Sequence, residues 1–132
     1  MMTIGSRHEM TWIVEKEHLA SSFGSGLADV LATPVLVGFC EECCRKLVDP
    51  SIEKGKQTVG TEICLQHKAA TPIGMKVTVC ATLVEIDNRR LRFEVDAADA
   101  IEQIAAATHE RFIVDTDRFV RRIQDKARKK PA

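Results

Sequence analysis

One long helical apolar run is followed, from Thr58 to Asp115, only by runs that repeat every second residue. That change of period limits the fold more than any other feature of the chain. Val35 to Val48 keeps the spacing of a buried helix and ends at Asp49-Pro50. After the polar connection "DPSIEKGKQ", four strand-like segments follow: Thr58–Ala69, Met75–Ile86, Arg90–Ala97 and Gln103–Asp115. Asp87-Asn88 is a turn signal, so the second and third of these form a hairpin. His8–Val14 alternates loosely and reads as a first strand, with Met10, Trp12 and Val14 on one face. Strands joined by short turns pair antiparallel. The sequence thus predicts an α+β domain with one principal helix and about five strands. One helix cannot cover both faces and the edges of such a sheet, so a partner subunit is expected.

The chain has 132 residues, enough for a single domain over 1–132 with a core at about 8–119. Thr116 to Lys130 starts as a helix, with Phe119, Val120 and Ile123 on one side, and is expected to dissolve into a basic tail from about 120 to 132. Formal net charge is zero and 45 % of the residues are apolar. That balance excludes a dedicated nucleic-acid binder, which carries a basic excess. No apolar run approaches the roughly 20 residues of a membrane span. Met1 to Met10 lacks the apolar centre of a signal peptide. A cytoplasmic location is expected, and five cysteines, an odd number, fit reduced thiols better than a disulfide framework.

"TP" at Thr33-Pro34 reads as a helix start, with Thr33 as N-cap and Pro34 at the first helical position. Val35, Leu36, Val37, Phe39, Cys40, Cys43, Cys44, Leu47 and Val48 cover more than half of the helix circumference. Glu42 and Lys46 form an ordinary pair one turn apart on the polar face. Glu41 falls at the rim of the apolar stripe, beside Val37, Cys44 and Val48. There it is either salt-bridged to Arg45 or partly desolvated and suited to proton transfer or attack. On the next segment Val59, Thr61, Ile63, Leu65 and His67 share one face by parity. His67 is therefore either a hydrogen-bonded core residue or a working one. An inward carboxylate and an inward histidine together are the parts of an acid–base or nucleophilic site.

Three stretches, "LATPVLVGFCEECC", "TVGTEICLQHKAATPIGMKVTV" and "ATHERFIVD", resemble the hotdog-fold thioesterases of the fluoroacetyl-CoA thioesterase type, from about Val30 to Phe119. The resemblance implies a long helix wrapped by a curved antiparallel sheet, working as a homodimer or a dimer of dimers with sites at the subunit interface. It implies hydrolysis of the thioester of a small or medium acyl-CoA, without a cofactor or metal. It carries the family's catalytic threonine, glutamate and histidine onto Thr33, Glu41 and His67. The acyl-pocket glycine falls on Gly60 and the arginine of the "HER" motif on Arg111. Where the fluoroacetyl-specific enzyme has lid phenylalanines, "FGSGLADVLATP" offers Gly24 and Leu27. The resemblance therefore implies a general thioesterase rather than a fluoroacetyl-selective one.

Two other readings compete. A non-catalytic acyl-CoA-binding module on the same fold would not need Glu41 and His67. A thiol or metal protein would use Cys40, Cys43 and Cys44 of "CEECC". A redox CxxC usually opens a helix, whereas this one lies two turns in. Zinc would need a fourth ligand such as Cys64 or His67.

Overall fold

The computed structural model of the chain describes residues 2–129 and 131. Five strands, β1 (Arg7–Ile13), β2 (Lys56–His67), β3 (Lys76–Asp87), β4 (Arg90–Ala98) and β5 (Gln103–Asp115), form one antiparallel sheet. Their order across the sheet is β1-β3-β4-β5-β2, which leaves β2 at one edge. Three helices accompany them: α1 (Ala20–Phe23), α2 (Thr33–Val48) and α3 (Thr116–Arg128). Among the described residues no helix is long and apolar enough to cross a membrane.

The sheet closes on α2 because alternate residues of each strand are apolar on that side. Val77, Val79, Ala81 and Leu83 of β3 and Leu91, Phe93, Val95 and Ala97 of β4 are buried there. They meet Leu36, Phe39, Cys40, Cys43, Cys44 and Val48 of the helix in one core. Trp12 of β1 stacks on Phe39 with ring centroids 4.2 Å apart. The three helix cysteines are packing residues. Burial pushes the Cys40 thiol up to about 12 and the Cys43 thiol up to about 11, and raises Cys44 as well. Such surroundings hold sulfur as the protonated thiol, and the Cys43 thiol donates to the carbonyl of His8 at 3.3 Å.

Three sequence expectations need correction. The helix does begin at Thr33, but its N-cap is Ala32 and no side chain caps it. The hydroxyl of Thr33 is turned elsewhere, as described below. Secondly, Val59 and Thr61 do not share the inward face with Ile63, Leu65 and His67. A bulge between Gly60 and Glu62 leaves Thr61 without a partner in the register. A single extra residue reverses the side-chain alternation of a strand. Before the bulge Thr58 and Gly60 therefore point inward, and after it Ile63, Leu65 and His67 do. Thirdly, the segment after Thr116 stays helical to Arg128. The Asp115 side chain accepts from the Arg118 backbone N–H at 3.1 Å, and Lys126 and Arg128 complement the other end of the helix dipole. Lys130 and Ala132 of the expected tail lie outside the described residues.

Candidate active site

The N-terminal end of α2 is pinned on two sides. The Leu31 N–H donates to the Thr71 carbonyl at 2.8 Å, and the Ala32 N–H to the His18 carbonyl at 2.9 Å. This fixes Thr33 beside the last residue of β2, so that Thr33 Oγ1 and His67 Nδ1 are 2.7 Å apart. In the register His67 faces Ala105 of β5, a side chain small enough to leave room for the imidazole. His67 Nε2 is buried and has no hydrogen-bond partner among the described residues. Burial lowers the pKa of His67, opposed by a backbone hydrogen bond at Ala69. The neutral ring has one donor and one acceptor nitrogen, so Nε2 takes whichever role Nδ1 does not use toward Thr33. Both residues line a cleft of about 340 Å³ that also touches Ala20, Ser25, Val30 and Lys68.

Glu41 stands two turns further along α2, about 12 Å of helix rise from Thr33. Of the two roles open to Glu41, the salt bridge to Arg45 is not formed, and Arg45 pairs with Asp49. Glu42 does pair with Lys46, at 3.0 Å. Glu41 instead faces the bulge of β2. A Cβ built on Gly60 would lie 2.9 Å from Glu41 Oε2, 3.3 Å from His109 Cε1 and 3.4 Å from Arg111 Nη1. Three functional groups thus converge on a space that only glycine leaves open. Arg111 is buried and is held from behind. Its Nε donates to Thr58 Oγ1 at 2.8 Å and its Nη2 to the Thr58 carbonyl at 3.1 Å. Burial lowers its pKa, and the nearby Glu41 charge is the largest opposing influence. Arg111 does not pair with Glu110, which turns to the other face and meets Arg90 at 3.2 Å.

Of the five residues singled out in the sequence, the fold gathers Thr33 with His67 and Glu41 with Gly60 and Arg111. Within one chain these are two separate groups. Gly60 and His67 are seven residues apart on the same strand, about 23 Å at strand rise. Sequence reasoning missed Thr58 and His109, both buried on the inward face of the sheet. Thr58 was hidden by the bulge, which changes its parity. His109 lies inside the quoted "HER" motif and alternates with Arg111, a signal that could have found it.

Gly60→Ala tests the convergence. Gly60 does not need a positive φ, so alanine is tolerated by the backbone, but its methyl group would displace the Glu41 carboxylate. The expected result is a kcat/KM lower by on the order of 10- to 100-fold, with melting temperature nearly unchanged because a flexible side chain gives way. A variant as active as the parent would show that the placement of Glu41 against Gly60 does not matter.

The segment that precedes α2 holds Gly24 and Leu27. Gly24 closes α1 at φ 99°, in the left-handed region that favours glycine, and Leu27 is 98 % exposed.

Comparison with known proteins shows which family and fold the chain resembles. The fluoroacetyl-CoA-specific thioesterase (FlK) family matches residues 14–117. The fluoroacetyl-CoA thioesterase of Streptantibioticus cattleyicolor is 39 % identical over 98 residues, which is 74 % of this chain and 70 % of that protein. A solved structure of the fluoroacetyl-CoA thioesterase FlK superposes with a TM-score of 0.91 at 31 % identity, covering 99 % of both chains. A point mutant of FlK in complex with fluoroacetate and CoA gives a TM-score of 0.86 at 33 % identity, over 89 % of this chain and 99 % of that one. A thioesterase-superfamily protein of Thermus thermophilus shares the fold, with a TM-score of 0.88 at 22 % identity and 97 % coverage of each chain.

Proposed function

The chain belongs to the fluoroacetyl-CoA-specific thioesterase family and hydrolyses acyl-CoA thioesters, and we propose that it acts on a small or medium acyl group through Glu41, His67 and Thr33. The observation that carries the residue assignment is the 2.7 Å contact between Thr33 and His67 beside a buried imidazole nitrogen with no partner among the described residues. A nitrogen left without a partner on burial is costly unless a ligand meets it. In this reading it faces the thioester.

Glu41 takes a proton from water as the water oxygen bonds to the thioester carbonyl carbon. The carbonyl electrons move onto oxygen. As they return, the C–S bond breaks and the CoA thiolate leaves, taking up a proton to give free acid and CoA. His67 stabilises the developing oxyanion or shuttles that proton, and Thr33 orients its ring. Arg111 supplies positive charge toward the acyl group. Lys68 lines the cleft that holds Thr33 and His67, and in this reading it meets a CoA phosphate. Direct attack by Glu41 would instead bond its carboxylate oxygen to the acyl carbon, expel the CoA thiolate and leave a mixed anhydride; addition of ¹⁸O water at the glutamyl carbon of that anhydride under single-turnover conditions would label the carboxylate. Gly24 and Leu27 stand where the fluoroacetyl-specific enzyme has lid phenylalanines, so a selective preference for fluoroacetyl-CoA is not expected. A hydrolysis screen over acyl-CoAs of rising length, with free-thiol detection, tests the substrate range. Fluoroacetyl-CoA turned over far faster than acetyl-CoA would overturn the general-thioesterase reading.

The active form is proposed to be a homodimer. The two groups of site residues sit toward opposite ends of β2, whose outer edge is unpaired within the chain. Two copies related by a two-fold axis through that edge run antiparallel. The Gly60 end of one β2 then lies opposite the His67 end of the other, and Glu41 of one subunit meets His67 of its partner. Light scattering at micromolar concentration should give twice the mass of the chain. A monomer of full activity would refute the shared site.

A further inference from the structure

His109 lies outside the threonine, glutamate and histidine set, yet it is 3 % exposed and sits between the bulge and the guanidinium of Arg111. We propose that His109 is a positioning residue: a neutral imidazole whose Nδ1 is tied to the bulge and whose Nε2 aims Arg111 at the acyl site. The proposal rests on the reading of Glu41 and Arg111 given above.

Two contacts define the ring. His109 Nδ1 is 2.7 Å from the carbonyl oxygen of Glu62, and a carbonyl can only accept. Nδ1 therefore carries the proton. His109 Nε2 is 3.2 Å from Arg111 Nη1, and a guanidinium can only donate. Nε2 must therefore be unprotonated. The two partners together allow one form of the ring, the neutral Nδ1–H tautomer. Burial favours the same form.

The Glu62 carbonyl is available because the register shifts between Gly60 and Glu62. The bulge therefore does two things at once. It turns Gly60 inward to make room for Glu41, and it presents a carbonyl that fixes the histidine behind Arg111. Thr58 holds the other side of the guanidinium through its hydroxyl and carbonyl. With Nε and Nη2 on Thr58 and Nη1 on His109, the guanidinium plane cannot rotate. It presents the positive charge toward Glu41 and the space above Gly60, where the reacting carbonyl is proposed to sit.

Two substitutions separate positioning from packing. Asparagine keeps a donor where Nδ1 lies and lacks an acceptor at the position of Nε2. Glutamine reverses this. The expected result is that His109→Asn lowers kcat/KM by roughly tenfold or more, while His109→Gln stays within about threefold of the parent. On an Arg111→Lys background, His109→Asn should cost nothing further, because the bond it breaks is already absent. An Asn variant as active as the parent overturns the proposal. So does a loss in both variants that follows melting temperature alone.

A second measurement needs no folded variant. Nitrogen-15 NMR of the parent at pH 7.5 should show His109 protonated at Nδ1 only. Protonation at Nε2, or on both nitrogens, overturns the proposal. If Arg111→Lys retains full activity while the Nδ1–H tautomer is present, it is the assignment of Arg111 to the acyl site that fails, and the positioning role falls with it for a reason the experiment has identified.

Discussion

Glu41→Gln is expected to leave the fold intact and lower kcat/KM by roughly 10²-fold or more, the usual loss when a general base is removed. The carboxylate faces Gly60 and makes no direct hydrogen bond or ion pair among the described residues; its charge supports that of the buried Arg111 guanidinium, whose bonds to Thr58 and His109 remain when glutamine replaces it. Arg45 and Lys46, the cations one turn away, are already paired with Asp49 and Glu42. A stability change should therefore be small and the catalytic change large. The check is kcat/KM on acetyl-CoA beside a thermal melt of the same preparation. Hydrolysis as fast as the parent would remove Glu41 from the mechanism and leave only the fold-level assignment.

His67→Ala is expected to cost a similar factor, on the order of 10² in kcat/KM. Thr33→Val, which keeps the shape but loses the hydroxyl, should cost less, about tenfold, because the ring remains but turns freely. In the double variant the effects should not add, since Thr33 acts through the ring. The pH dependence has a definite sign. Burial lowers the pKa of both His67 and His109 below the unperturbed value of about 6.5. As pH falls, the unfolded chain takes up these protons first. The stability contributed by the neutral rings is complete above about pH 6.5 and is lost as pH falls toward the folded-state values. Melting temperature should fall from pH 7 to pH 5, less steeply in His67→Ala. A melting temperature that rises on acidification through this window would mean that the rings gain protons on folding.

Much of the arrangement was legible in residue order. The helix over Val35–Val48 is marked by apolar spacing and by Thr33-Pro34, and the β3–β4 hairpin by Asp87-Asn88. Cysteine in the apolar stripe was correctly a packing residue, because its spacing puts it under the sheet. The inward placement of Glu41 could be read only as a choice between two roles. Helical spacing gives a direction but not a neighbour, and the choice depended on whether Arg45 was free. It is not: Asp49, one turn further on, takes it.

What the sequence by itself determined is therefore the principal helix, the five strands, their antiparallel pairing and the family to which they belong. Those features follow from local periodicity and from turns a few residues long. Tertiary structure decided which atoms meet. Thr33 turns from capping its own helix to His67 because backbone contacts with Thr71 and His18 pin the helix start. The bulge at Thr61 reverses the parity of β2, bringing Thr58 and Gly60 inward and exposing the carbonyl that holds His109. A bulge depends on how two strands 50 residues apart in the chain settle into register. No local pattern in either strand records it, and a period-two reading carried through Thr61 must point the residues before it the wrong way.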